Sequence, residues 1–352
     1  MQIELEKEFV DFKFISAQAE ITGRCNMKCK HCRASYDPKI DMDINTFINL
    51  LNFCNFEKNF NFTISGGEPF LHKQLYEFLF ILKNKGVHEV VITTNGSIIN
   101  ENIIKELKAI ALPKLTIQVS LDNVIPEKHD EFRQFKGAYN TAIKNIKKLV
   151  ENGIFTSIRV TITKQVIDIL EDFIILATNL KVQRIGLTSV VPSGNALEHQ
   201  DIFINADDKE KIFKSLIAFK SKYHNIEIVT GDPIKFLAGF TTINHVPNDS
   251  NLICFGGCEA GIARINCDSE GWVTPCALLP IPILNVNDNP THINQQNYVN
   301  NDVIINLFER KLKGKCGSCR LTRQCGGCRA VAYGLTGDYL EEDSSCFSKN
   351  RQ

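Results

Sequence analysis

The chain lacks a net charge: forty lysines and arginines offset forty aspartates and glutamates across its 352 residues. With no global field of one sign, nothing draws it to nucleic acid or to an anionic membrane. Long apolar runs are missing too. The longest stretches, such as Phe173-Ile174-Ile175-Leu176-Ala177, fall far short of the roughly 20 residues that span a bilayer. The N-terminus, Met1-Gln2-Ile3-Glu4-Leu5-Glu6-Lys7, lacks the apolar core of a signal peptide. The expected location is the cytoplasm, with neither nucleic acid nor membrane as a partner. No internal repeat is present.

What the chain has in excess is cysteine, 13 in all. Disulfide scaffolds belong to short secreted chains, whereas clustered cysteines in a reducing compartment more often hold metal. Three of them fall in Thr22-Gly23-Arg24-Cys25-Asn26-Met27-Lys28-Cys29-Lys30-His31-Cys32. Three thiolates this close can wrap one corner of a metal cluster but leave a four-site cluster one ligand short. A structural zinc site also closes with four ligands. A trio without a neighbouring fourth therefore implies an open metal position, where the chemistry is expected.

Along the chain, strand-like runs alternate with amphipathic ones. The strand candidates are Ala17 to Thr22, Asn61 to Ser65, His88 to Thr94, Leu115 to Ser120, Ile154 to Thr163 and Arg184 to Ser189. Between them lie helix candidates from Asn45 to Cys54, Lys73 to Lys85, Asn100 to Ile110, Gly137 to Glu151 and Ile167 to Leu180. Such alternation predicts an α/β fold of βαβ units around a parallel sheet. Crossovers of one hand would curl six units into a partial (β/α)6 TIM-like barrel. The cysteine triplet, Gly66-Gly67-Glu68-Pro69, Thr94-Asn95-Gly96 and Ser120-Leu121-Asp122 all follow strand ends, where sites in parallel sheets gather. One more helix and a short strand are expected between Asn205 and Thr230. Beyond Gly231 the alternation gives way to Gly, Pro, Asn and Cys. The expected organisation is a lead-in over 1–15, a barrel over 16–230 and a loop-rich C-terminal domain over 231–352 that metal would have to help stabilise. Within that domain a hairpin is expected from Ile262 to Cys267, through Asp268-Ser269-Glu270-Gly271, to Trp272–Pro275. The stretch Asn285 to Asn301 reads as an exposed loop.

The triplet resembles the signature of the radical S-adenosylmethionine (SAM) enzymes, C-x3-C-x-Φ-C, with His31 in the aromatic position. Taken alone it also suits a zinc knuckle. Ser65-Gly66-Gly67-Glu68-Pro69 stands where that family has its GGEP motif, whose small residues let the strand end approach the SAM amino group. Ser120 and Asp122 match the S-x-D segment near the ribose and carboxylate of SAM, and Arg159 matches a position whose guanidinium clamps the carboxylate. Thr94 and Asn95 add a turn at the third strand end, and Val191-Pro192-Ser193-Gly194-Asn195-Ala196 resembles the P-x-G loop after the sixth strand. The resemblance implies a [4Fe-4S] cluster on Cys25, Cys29 and Cys32. Its open iron would chelate SAM, and reductive cleavage there would yield a 5′-deoxyadenosyl radical.

A second cysteine set extends the resemblance. Cys258, Gly271 and Cys276, then Cys316-x2-Cys319-x5-Cys325-x2-Cys328 and Cys346, are similar to the SPASM extension, with one internal gap shorter by a residue. A zinc ribbon is the competing reading. Carried over, the SPASM arrangement places Cys254, Cys258, Cys276 and Cys328 on one auxiliary [4Fe-4S] cluster and Cys316, Cys319, Cys325 and Cys346 on another. Without Cys254, the first would keep an open iron. Three clusters then use eleven cysteines, leaving Cys54 as a core thiol and Cys267 as a spare. The resemblance implies an oxidoreductase served by a flavodoxin- or ferredoxin-type electron donor. The first expectation for its substrate is a ribosomally made precursor peptide, crosslinked through a C–C or thioether bond. Only 24 residues precede Cys25, so leader recognition would fall to the barrel or to a separate leader-binding protein. The alternative is a haem or haem d1 pathway enzyme acting on a porphyrin side chain, because Cys325-Gly326-Gly327-Cys328-Arg329-Ala330 also occurs in those relatives. An iron–sulfur electron carrier without catalysis is the non-enzyme alternative. Asp232, Asp268 and Glu270 are unranked acid/base candidates, and the catalytic residue stays unassigned.

Overall fold

The structure is a computed structural model, and it describes residues 14–33, 40–56, 59–238 and 257–348. Cys254 and residues 1–13 of the lead-in lie outside these. The parallel strands run β1 (Ser16–Glu20), β2 (Asn61–Ser65), β3 (Glu89–Thr94), β4 (Leu115–Ser120), β5 (Phe155–Ile162), β6 (Arg184–Ser189) and β7 (Glu227–Val229), each hydrogen-bonded to the next. Helices α1 (Ile44–Cys54), α2 (Leu75–Asn84), α3 (Glu101–Ile110), α4 (Pro126–Arg133), α5 (Ala138–Glu151), α6 (Leu170–Asn179) and α7 (Ala206–Lys222) make the crossovers. Polar caps set their starts. Asp43 accepts from Thr46 N at 2.8 Å, Asn100 accepts from Ile103 N at 3.0 Å, and Asn205 forms a capping box with Asp208.

The period of two along each strand divides the two faces. Ala17 and Ala19, Ile117 and Val119, and Ile185 and Leu187 are buried in the main core with the helices. The alternate positions are polar, with Gln18, Thr63, Gln118, Arg159 and Thr188 only partly covered. The sheet curls around that polar face. Arg184 on β6 donates to Glu89 on β3 at 3.0 Å although two strands intervene, a reach that a flat sheet spaced at about 4.8 Å per strand does not allow.

Glu89 closes the N-terminal end of the barrel. It also pairs with Lys114 at 2.8 Å and accepts from Thr116 Oγ1 at 2.9 Å. Burial opposes its charge, but Lys114 and Arg184 hold its carboxyl below the usual range. Glu89→Gln leaves both cations short of their partner, and the expected loss is about 3 kcal/mol, read as an earlier urea midpoint. A depressed carboxylate contributes fully above its unfolded pKa and loses that contribution as pH falls through its folded value. The variant's deficit should therefore be full at pH 7 and fade in acid.

Beyond β7 the chain rejoins the same sheet. β8 (Arg264–Cys267) pairs in parallel with the free edge of β1, β9 (Trp272–Thr274) returns antiparallel to β8, and β10 (Leu284–Asn285) pairs with β9. The described residues thus form one ten-stranded sheet. Four helices follow: α8 (Thr291–Val299), α9 (Asp302–Glu309), α10 (Gly314–Ser318) and α11 (Arg329–Thr336). Helix α8 corrects the expectation of an exposed loop from Asn285 to Asn301. Tyr298 is 1 % exposed, donates to Gly261 O at 2.7 Å, and meets the rings of Phe14 and Phe53 edge-on. Asn294 donates to Asn289 O at 3.0 Å. One anchored aromatic outweighs the weak helix propensity of the Asn and Gln residues around it. Cys54 and Cys267 are both buried in the main core. No helix among the described residues is long and apolar enough to cross a membrane.

Candidate active site

The loop after β1 carries the triplet and is bound to three other strand ends. Gly67 N donates to Thr22 O and Glu68 N to Arg24 O, each at 2.7 Å. A Cβ on Gly66 would lie 2.5 Å from Thr22 O, and one on Gly67 would lie 2.1 Å from Arg24 O. Both glycines therefore serve the close approach of the β2 end to the cysteine loop. Glu68 is fully buried and accepts from Thr94 Oγ1 at 2.7 Å and from Asn95 N at 2.9 Å, tying the β2 end to that of β3. Asn95 donates to Asn26 at 2.8 Å, beside Cys25. From β6, Asn195 N donates to Cys32 O at 2.8 Å. Gly194 (φ +56°) packs where a Cβ would strike Cys32 O and Arg33 at 2.4 Å. Pro69 opens a short 3-10 turn behind the loop.

The fourth side is α4. His31 stacks on Phe132, with ring centres 4.7 Å apart and planes 3° from parallel, and Lys30 N donates to Phe132 O at 3.0 Å. Next to that ring, Arg133 donates to Cys29 Sγ at 3.5 Å and ion-pairs with Asp122. Asp122, at the β4 end beyond Ser120, also accepts from Thr161 N at 2.9 Å. Burial works against its charge, but the Arg133 guanidinium holds its carboxyl well below the usual carboxylate range. Burial brings His31 down to about 4, so its ring is neutral near pH 7. Arg133 and α4 have no counterpart in the sequence reading. The signal available was Pro126 followed by Glu127, a proline at the first helical position with an acid behind it.

Arg159 on β5 faces the chamber. Burial lowers its pKa first, and Arg33 lowers it next. Among the described residues its guanidinium makes no hydrogen bond or ion pair. Arg33 ion-pairs with Glu20 and reaches Ser65 Oγ and Ala277 O, each at 3.3 Å.

The C-terminal cysteines separate into two groups. Burial pushes the Cys328 thiol up, and Cys258, Asp343 and Cys276 add to it. Burial brings Cys325 up to about 12, with Asp343, Cys346 and Cys316 as further neighbours, and Cys346 is raised in turn with Cys316 and Cys319 near it. Asp343 stands between the groups: its N–H donates to Cys316 Sγ at 3.4 Å and its carboxylate accepts from Cys328 N at 2.8 Å. Fully buried Arg329 donates to Cys316 Sγ at 3.5 Å.

Sulfurs in all three groups accept N–H donors. Met27 N reaches Cys25 at 3.5 Å, Leu278 N reaches Cys276 at 3.5 Å, Leu321 N reaches Cys319 at 3.4 Å, and Gly327 N reaches Cys325 at 3.4 Å. Backbone and guanidinium donors aimed at sulfur suit thiolates bound to iron, whose potential such bonds tune. Among the described residues no three His, Cys, Asp or Glu side chains are gathered around a single ion. The residues fit iron–sulfur groups, and the free guanidinium of Arg159 fits the carboxylate of SAM.

Residues 19–177 match the Radical SAM superfamily. That stretch is a radical SAM domain. The radical SAM chain is 28% identical over 341 residues to the AdoMet-dependent heme synthase of Methanosarcina barkeri, covering 93% of this chain and 94% of that one. It is 26% identical to the antilisterial bacteriocin subtilosin biosynthesis protein AlbA of Bacillus subtilis, over 96% of this chain and 72% of that one. In fold it is similar to Streptococcus suis SuiB bound to its precursor peptide SuiA, with a TM-score of 0.74 at 18% identity, over 99% of this chain and 79% of that one. The likeness bears out a radical SAM (β/α) barrel with a cysteine-bearing C-terminal extension, and the chain is a radical SAM enzyme.

The acid/base candidates fare differently. Asp232 is buried and bound to Lys209 at 2.5 Å and to Ser189 Oγ at 3.0 Å. Asp268 holds its turn, accepting from Glu270 N at 3.0 Å and Trp272 N at 2.9 Å, and Glu270 is exposed.

Proposed function

We infer that this enzyme oxidises its substrate between a SAM-binding iron–sulfur cluster and two auxiliary ones. The observation that carries the reading is Arg33. It follows Cys32 directly and reaches Ala277, which follows Cys276 directly, so the triplet and the first C-terminal group flank one polar chamber. Cys25, Cys29 and Cys32 would hold the first [4Fe-4S] cluster. Cys258, Cys276 and Cys328, with Cys254, would hold the second, and Cys316, Cys319, Cys325 and Cys346 the third. SAM on the first cluster supplies a 5′-deoxyadenosyl radical for hydrogen abstraction. Arg159 would anchor the SAM carboxylate, His31 and Asp122 would line its flank, and the helices around the sheet exclude water. An electron acceptor across the chamber suits a net oxidation in place of SAM used as a mere initiator.

For the substrate, full-length similarity to the haem synthase weights the reading toward a porphyrin side chain, ahead of the peptide crosslink first expected. The peptide reading rests on the likeness to SuiB and AlbA. The test incubates the reduced, iron-loaded chain with SAM and iron-coproporphyrin III. Side-chain carbon dioxide loss, with 5′-deoxyadenosine in step, is the expected result. Formation of 5′-deoxyadenosine only with a precursor peptide would move the assignment to peptide crosslinking, and none under any condition would sink both.

A further inference from the structure

Outside the second C-terminal group, two cations stand without a counter-charge. Arg320 and Arg323 are exposed and make no ion pair or hydrogen bond among the described residues. The three nearby lysines are answered: Lys311 by Glu309 at 2.5 Å, Lys313 by Asp338 at 2.5 Å and Lys315 by Glu342 at 3.0 Å. The two arginines border a cleft of about 420 Å³ that is also lined by Glu309, Arg310, Cys319, Gly317, Ser318 and Thr322. Cys319 is partly exposed, whereas Cys316 is buried. The loop between them and Cys325 is held by its own backbone. Thr322 N donates to Cys319 O at 2.9 Å and Cys325 N to Leu321 O at 2.8 Å. The arginines therefore project from a held rim around a partly exposed cysteine of the group.

We propose that this rim is the docking face for an acidic one-electron carrier protein seated over Cys319. The proposal rests on the reading of Cys316, Cys319, Cys325 and Cys346 as an iron–sulfur site. A chain that is neutral overall has no long-range field, so charge complementarity has to be local, and complementary patches act mainly on encounter and register. Unpaired guanidiniums beside a partly exposed ligand meet that requirement. They also suit the carboxylate-rich face of a carrier, because Arg is less strongly hydrated than Lys.

The test measures binding of an oxidised, acidic flavodoxin to the iron-loaded chain. R320E/R323E should weaken the Kd at least tenfold and flatten its salt dependence, while R320K/R323K should stay within about threefold of the parent. Carbodiimide cross-linking of the R320K/R323K chain should join flavodoxin carboxylates at positions 320 or 323. Parent-like affinity in R320E/R323E, or cross-links confined to another face, would overturn the proposal. Iron analysis separates this failure from that of the underlying reading. About twelve irons per chain keep the third site, whereas about eight, with no magnetic signal from a third cluster, remove the site and the docking face together.

Discussion

A Gly67→Ala chain is expected to take up about four irons fewer than the parent, the content of one [4Fe-4S] cluster, and to cleave no SAM. The added Cβ would sit 2.1 Å from Arg24 O and 3.1 Å from the Cys25 Cβ. The first is backbone, which has no rotamer to yield. Gly67 does not have a positive φ, so the penalty comes from the collision alone. Relief requires the cysteine loop to lift off the β2 end, which breaks the 2.7 Å bonds from Gly67 N and Glu68 N and spreads the three sulfurs. The C-terminal groups lie on other elements and should load normally. Gly186→Ala is the control, because its Cβ would meet only ordinary contacts from 3.7 Å outward. Iron analysis and magnetic spectra of the reduced chains check both. Full iron with an unchanged first-cluster signal in Gly67→Ala would show that the glycine is not there for the loop.

The same glycines show what the sequence could and could not convey. Their place at a strand end was legible, because strands β2, β4 and β6 coincide with their sequence bounds. Each is an apolar-alternating run closed by a turn signal. A further task of theirs was not legible: they also clear the backbone of Thr22 and Arg24. Cysteine grouping was readable from spacing alone, since C-x2-C and C-x3-C pairs confine sulfurs to one neighbourhood whatever the fold. Helix α4 was not. Pro-Glu-Lys-His-Asp-Glu carries no apolar stripe, and the helix faces the site through His129, Phe132 and Arg133 near its end. Helix α8 escaped for a related reason, with its burial resting on Asn294 and Tyr298. Periodicity detects elements that bury a face and misses those held by one or two anchors.

Arg133 is the residue for which that blindness matters most, and Arg133→Met should lower SAM cleavage by roughly 10- to 100-fold with the first cluster still present. Met fills much of the same space but removes the donor to Cys29 Sγ and the partner of Asp122. A hydrogen bond to a charged group contributes about 1.5–3 kcal/mol, which corresponds to that range at about 1.4 kcal/mol per tenfold. A cation beside a cluster sulfur favours the more negative, reduced state, so its loss should move the midpoint potential of the first cluster downward. Asp122 responds in the opposite sense. In the parent its carboxyl is held low by Arg133, so its contribution to stability is present above the ordinary carboxylate pKa and is lost only as pH falls through the depressed value. Without Arg133, burial is opposed only by His31, His129 and the Thr161 N–H, and the carboxyl is expected to rise above its unfolded value. The variant should then gain stability on going from pH 7 towards pH 5, where the parent does not. D122N/R133M removes the stranded charge and should recover stability without recovering the potential. Arg133→Lys should keep the charge at Asp122 but lose the forked reach to both partners, leaving stability near the parent and the potential between the two. An unshifted potential in Arg133→Met, measured by redox titration of the reduced-cluster signal, would leave Arg133 as scaffolding for Asp122 alone.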